Sequence, residues 1–139
     1  MSAKLNEMLN QAIAREMQVA IQYMWQHVEW SGVQGHTTKD VLHDTGVQEM
    51  KHAESIAERL FYLGEKPTTK PEPIFVMDNL KAMLDQDRKD EENAMQMYKE
   101  IIKLAQSEGD VTTAFLFMDI LKDEEEHHDL FTTLLEGVM

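Results

Sequence analysis

The sequence contains no cysteine, which excludes disulfides, iron–sulfur clusters and thiolate zinc sites. Basic residues are few. Thirteen Lys and Arg stand against 26 Asp and Glu, for a formal net charge of −13. That balance argues against nucleic acid and anionic membrane surfaces as partners, and favours attraction of cations. No apolar run approaches the ~20 residues of a membrane span, and the N-terminal MSAKLNEMLNQ has no apolar signal core. The expectation is a soluble, cytoplasmic protein. Its 139 residues, 42% of them hydrophobic, suffice for one domain spanning 1–139 with its own core.

Glycine and proline are also scarce, and they cluster. Gly32 and Gly35 mark one break, Gly64 with Pro67, Pro71 and Pro73 a second, and Gly109 a third. Between them lie four segments rich in Leu, Met, Ala, Glu, Lys and Gln, which are good helix formers. The pattern predicts helix A at 3–31, B at 38–63, C at 78–107 and D at 111–136. Asp110 is placed to cap D, and Thr37 or Thr38 to cap B. Each segment carries a seam of alternating three- and four-residue steps. In A it includes Leu5, Leu9, Ala12, Glu16, Val19 and Tyr23. In B it includes Leu42, Thr45, Glu49, His52, Ile56 and Leu60. In C it includes Leu84, Asp87, Glu91, Ala94, Tyr98 and Ile101. In D it includes Phe117, Leu121, Glu124, His127, Phe131 and Leu134.

Four amphipathic helices predict an all-α four-helix bundle. The B–C link carries three prolines and should be extended. Its residues 64–77 can reach roughly 45 Å, and a helix the length of B is about 39 Å long. The link can therefore run the length of the bundle and make B and C parallel. The short A–B and C–D links make those pairs antiparallel. The expected topology is two helical hairpins joined by a long crossover.

Every seam contains a residue unsuited to a plain core. Glu16, Glu49, Glu91 and Glu124 each sit near the middle of a helix, and His52 and His127 follow two of them by three residues. Unpaired charges there would cost several kcal/mol each, about the penalty for burying an ion without a partner. Two histidines do not balance four carboxylates, so bound cations are expected. The spacing repeats. Glu16 to Glu49 and Glu91 to Glu124 are each 33 residues apart, and Tyr23 and Tyr98 each follow a glutamate by seven. Each half supplies Glu plus Glu-x-x-His, the ligand set of a di-iron or di-manganese carboxylate site. Oxygen and imidazole donors suit iron(II), manganese or zinc. Glu92, about 100° off the seam, is expected to be solvated, and His128, adjacent to His127, to point off the seam. His27, His36 and His43 are expected at or near the surface, with Trp25 and Trp30 as core or interface anchors.

On these residues, and on the stretches Glu49-Met-Lys-His52-Ala and Leu-Lys-Asp-Glu124-Glu-Glu-His127, the chain resembles the ferritin-like superfamily, and within it bacterioferritin. The resemblance implies a ferroxidase that oxidises iron(II) with dioxygen or peroxide, for iron storage or detoxification. It assigns Glu49 and Glu124 as bridging ligands, Glu16 and Glu91 as terminal ones, and His52 and His127 as the nitrogen ligands of two irons per chain. Tyr23 would hydrogen-bond a ligand or supply an electron, or it would simply be a core tyrosine with a satisfied hydroxyl. Asp87, and less strongly Asp123, would orient a histidine. Met50 would bind haem b at a twofold interface, beside Met17, Met24, Ala53 and Ala57, so a homo-oligomer of at least two chains is implied. The sequence ends soon after helix D without a further short helix, which puts a hollow many-subunit cage in question. Alternative readings are a rubrerythrin-like peroxide reductase and a non-catalytic bundle that holds iron or haem.

Overall fold

A computed structural model describes residues 2–30 and 32–138. All regular structure among them is helical: α1 Ala3–Glu29, α2 Val33–Tyr62, α3 Leu80–Ser107 and α4 Val111–Glu136. Three helices begin on side-chain caps. Ser2 Oγ accepts from the Leu5 amide at 3.1 Å, Asn79 Oδ1 from Ala82 at 2.9 Å, and Asp110 Oδ1 from Thr113 at 3.1 Å. Each cap satisfies an amide that the first helical turn leaves unpaired.

The second helix departs from expectation. It begins at Val33 rather than near residue 38, its N-cap is Gly32, and neither Thr37 nor Thr38 caps it. Gly35, expected at a helix break, lies inside α2. A Cβ there would fall 0.8 Å from Trp30 Nε1, so this glycine serves close packing. The indole covers the position and offsets the roughly 1 kcal/mol that glycine costs a helix. Lys39 adds a tie, its Nζ donating to the carbonyl of His27 near the end of α1.

The crossover between α2 and α3 follows α1 from end to end. Asn10 bonds the carbonyl of Lys66 and the amide of Thr68, Ala14 accepts from the Glu72 amide, Gln22 from the Phe75 amide, and Gln26 donates to the Val76 carbonyl. Rising numbers in the link meet rising numbers in α1. The link therefore carries the chain back along the bundle, and α2 and α3 run parallel. Gly109, at φ 77°, turns the chain between α3 and α4, a conformation glycine adopts without steric penalty. Arg59 ties the end of α2 to the start of α4 through Asp110 at 2.8 Å and Thr113 at 3.0 Å.

The core has two apolar bodies. One contains Leu5, Leu9, Ile56, Leu60, Tyr98, Ile101 and Phe117. The other contains Val19, Tyr23, Leu42, Leu80, Leu84 and Phe131. The helix positions between them, at the middle of the bundle, are polar.

Candidate metal centre

The seam glutamates meet between these apolar bodies. Glu16, Glu49, Glu91 and Glu124 are fully buried, and His52 and His127 nearly so. One residue from each helix reaches the same level because each lies at mid-helix on the inward stripe. The six side chains form two overlapping groups, each with one donor atom per residue and all those atoms within 4.8 Å of one another. One group is Glu16, Glu49, His52 and Glu124. The other is Glu49, Glu91, Glu124 and His127. Glu49 and Glu124 belong to both. The imidazoles point Nδ1 inward. His52 Nδ1 is 2.8 Å from Glu16 Oε1 and 3.0 Å from Glu49 Oε1, and His127 Nδ1 is 2.9 Å from Glu124 Oε1.

The outward nitrogens are held as well. His52 Nε2 meets Asp123 Oδ2 at 2.8 Å, and His127 Nε2 meets Gln48 Oε1 at 2.6 Å. An acceptor at Nε2 fixes the proton there and leaves Nδ1 to serve as a ligand. This corrects one expectation. Asp87 touches neither histidine; its Oδ1 accepts from Gln22 and Gln26, each at 2.9 Å. Asp123, the weaker candidate, orients His52. Gln48 does so for His127 and was not anticipated.

Both seam tyrosines bond seam carboxylates. Tyr23 donates to Glu91 Oε1 and Tyr98 to Glu16 Oε2, each at 2.7 Å. Each ring packs edge-on against a phenylalanine of α4, Tyr23 on Phe131 and Tyr98 on Phe117, with centroids 5.2 Å apart. Burial, and then the neighbouring carboxylate, push both phenols well above their ordinary pKa, so both stay protonated donors. Tyr98 takes the part expected of Tyr23 alone, and the seven-residue spacing after a glutamate marks both equally.

Arg15 is the larger surprise. It is buried, and its guanidinium lies among all four carboxylates. Nη1 contacts Glu16 and Glu124 and is 3.1 Å from Glu49 Oε2, while Nη2 is 3.1 Å from Glu91 Oε1. An arginine adjacent to a seam glutamate reads as solvated by helical angle alone. Its flanking residues, Ala12-Ile13-Ala14 before it and Met17 after Glu16, are the signal that it is enclosed.

These contacts divide the carboxyls. Burial pushes Glu16 up, but Arg15 and His52 outweigh it and bring the pKa to about 2. Arg15 and His127 likewise overcome burial and hold Glu91 below the carboxylate range. Burial and the neighbouring carboxylates push Glu49 and Glu124 up. Burial opposes charge on the histidines, yet their hydrogen bonds to glutamate raise His52 to about 11 and His127 to about 10. The donor set suits a pair of divalent first-row ions: carboxylate oxygen and imidazole nitrogen in two joined groups. Glu91 Oε2 is buried without a hydrogen-bond partner, as an oxygen reserved for a metal would be. The remaining candidates lie apart. Glu92 is half exposed, as expected of a solvated residue, and accepts from His128 Nε2 at 3.1 Å; His128 thus points off the seam. His27 Nδ1 is 2.7 Å from the Lys39 carbonyl oxygen. Met50 lies on the outer face of α2, half exposed.

A protein-family model described as a ferritin-like domain matches residues 6–138. The bacterioferritin of Desulfovibrio desulfuricans is 33% identical over 126 residues, covering 90% of this chain and 70% of that protein. A crystal structure of that species' bacterioferritin, described as showing its diiron site in different catalytic states, superposes with a TM-score of 0.90 at 30% identity, over 96% of this chain and 79% of that one. A ferritin-like, diiron-carboxylate protein from Bacillus anthracis superposes with a TM-score of 0.93 at 26% identity, over 97% of this chain and 99% of that one.

The raised histidine pKa values carry a stability consequence. A group whose pKa rises on folding stabilises the fold fully below its unfolded value and loses that contribution as pH climbs through the folded value. For His52 and His127 the window runs from 6.5 up to about 10–11. The metal-free protein should therefore lose thermal stability steadily across that range in calorimetry. On the acid side it should lose Glu16's contribution as pH falls from 4.5 toward 2. A melting temperature flat from pH 6.5 to 10 would mean that the imidazoles are neutral in the empty centre.

Proposed function

This chain belongs to the ferritin-like family, and we propose that it is a bacterioferritin-like ferroxidase, taking iron(II) as substrate and dioxygen or hydrogen peroxide as oxidant, in the service of iron storage or detoxification. The observation that carries the reading is the pair of overlapping donor groups that share Glu49 and Glu124. Shared carboxylates are what hold two metal ions at bridging distance. Glu49 and Glu124 take the bridging role, Glu16 and Glu91 the terminal one, and His52 and His127 supply one nitrogen to each ion. Two iron(II) ions give one electron each. With two protons, that pair of electrons takes dioxygen to hydrogen peroxide, or hydrogen peroxide to two waters.

The chain's residues shape this chemistry. Tyr23 and Tyr98 hold the terminal glutamates by their hydroxyls, leaving each carboxylate its second oxygen for metal. The apolar bodies on either side exclude water from the reacting centre. Asp123 and Gln48 keep the imidazoles aimed inward. The surplus of acidic residues concentrates cations near the surface. An acidic chain without cysteine also fits an iron handler of the reducing cytoplasm.

The same reading extends to haem. An open apolar groove of about 650 Å³ lies on the outer face of α1 and α2, lined by Met17, Met24, Trp25, Met50, Ala53 and Ala57 among others. At its floor α1 and α2 approach closely: a Cβ on Gly46 would come 3.1 Å from the Ala20 carbonyl. Met50 offers its thioether there, and a second chain related by a twofold axis would offer another. On this basis the protein is at least a homodimer with haem b between subunits.

Two experiments test these proposals. Iron(II) added stepwise without oxygen and then exposed to air should give fast ferric absorbance that saturates at about two irons per chain, as a two-metal centre requires. Glu124→Ala should abolish the fast phase. Saturation at one iron, or no fast phase, would leave a binding protein without turnover. For haem, titration with haemin should saturate at about one per two chains, since a planar ligand on a twofold is shared. Met50→Leu should abolish it, while Met17→Leu and Met24→Leu retain it. Undiminished binding by Met50→Leu would move the ligand elsewhere.

A further inference from the structure

We infer that Arg15 is a built-in substitute for the metal ions: it closes the empty centre, must leave for metal to enter, and sets how weakly the centre holds metal. The inference rests on the two-metal reading above. The geometry behind it is the way one guanidinium spans both donor groups. Nη1 lies among Glu16, Glu49 and Glu124, the three carboxylates of the His52 group. Nη2 lies at Glu91, the carboxylate found only in the His127 group. Arginine thus places one N–H cluster in each metal position, which a lysine ammonium, a single point charge, cannot do.

Occupation by arginine and by metal is mutually exclusive. The oxygens nearest Nη1 and Nη2 are Glu16 Oε2, Glu49 Oε2, Glu124 Oε2 and Glu91 Oε1. Two of these oxygens, Glu49 Oε2 and Glu124 Oε2, belong to the shared carboxylates, which need both oxygens to join two ions at roughly 2.0–2.2 Å; a guanidinium held on them in the same space denies that. Nor would a fixed positive charge beside two dications be tolerated in a buried site.

The side chain is not fitted as a permanent occupant. Its Nε is buried without a hydrogen-bond partner, whereas permanently buried arginines are normally satisfied at every donor. A place for it to go lies alongside. Nη2 already donates to the Asp90 backbone carbonyl at 3.3 Å, and the Asp90 side chain, half-buried one residue before Glu91, is held by the neutral amides of Gln22 at 2.8 Å and Gln86 at 3.2 Å. No basic side chain pairs with it among the described contacts. Swinging from the centre to the Asp90 carboxylate keeps the guanidinium ion-paired as metal enters. When ferric product leaves, the arginine returns, so the empty centre never exposes four unpaired carboxylates to one another. A centre closed in this way holds metal only transiently, as suits a site that passes iron through.

The test uses cobalt(II), which reports binding by its visible absorption without turnover, in competition with a chelator, alongside calorimetry of the metal-free protein. For the wild type, two cobalt ions per chain are expected; none would sink the two-metal reading and this inference with it. Given two, Arg15→Gln should lower the melting temperature of the metal-free protein and at the same time raise cobalt affinity at least about tenfold, opposite signs that a merely structural arginine would not produce. Asp90→Asn should leave the metal-free melting temperature unchanged and weaken cobalt binding severalfold, because the displaced guanidinium loses its partner. If Arg15→Gln does not fold, Arg15→Lys keeps the charge and should still bind cobalt more tightly than wild type. Cobalt affinity unchanged or weakened in the Arg15 variants, with two ions still bound by the wild type, would overturn the role given to Arg15 and leave the two-metal centre standing.

Discussion

Four glutamates buried at one level of a helical bundle are an electrostatic demand that the rest of the molecule answers. Like charges in a low-dielectric core cannot all ionise unless cations or hydrogen bonds compensate them. Here the four carboxyls, crowded on one another, are met by cations and donors: Arg15, His52, His127, Tyr23 and Tyr98. With so much polarity at mid-height, the cohesion of the fold falls to the apolar bodies on either side. Stability and chemistry are thus separated along the bundle axis.

The architecture doubles a simple unit. Each helical hairpin brings one Glu, one Glu-x-x-His and one tyrosine seven residues past its first glutamate. The tyrosines then cross over, that of α1 holding the glutamate of α3 and the reverse. Symmetry is broken where it affects the metals. His52 leans on the carboxylate of Asp123, His127 on the amide of Gln48. A carboxylate partner raises imidazole basicity more than an amide does, so the two donor groups are unequal by construction. Arg15 belongs to one half alone; the corresponding residue before Glu91 is Asp90, the group best placed to receive it.

Much of this was legible in the sequence. The four helices, the antiparallel hairpins and the crossover follow from seam periodicity and three clustered prolines. The six donors follow from polar residues where the stripe demands apolar ones. What escaped has identifiable causes. The start of α2 was misplaced because Gly35 looks like a turn residue, while its purpose, seating the Trp30 ring, depends on a contact that local pattern does not encode. Asp87 lies on the seam and was expected to face a histidine, but the glutamines of α1 reach it first. Gln48 and Asp123 precede ligands by one residue, and their usefulness appears only once the imidazole directions are known. Arg15 was missed because helical angle places its Cα off the seam. A side chain of that length reaches back to wherever charge is concentrated.

The most direct test of a two-metal centre closed by arginine is crystallographic. Crystals grown without oxygen, with and without iron(II), would be measured at the iron absorption edge. The account expects two anomalous peaks in the loaded form, one against each histidine Nδ1, with Glu49 and Glu124 between them and Arg15 turned toward Asp90. Without iron, the guanidinium should lie among the four carboxylates. A single peak, peaks only at the surface, or two peaks with Arg15 still between the glutamates would contradict it.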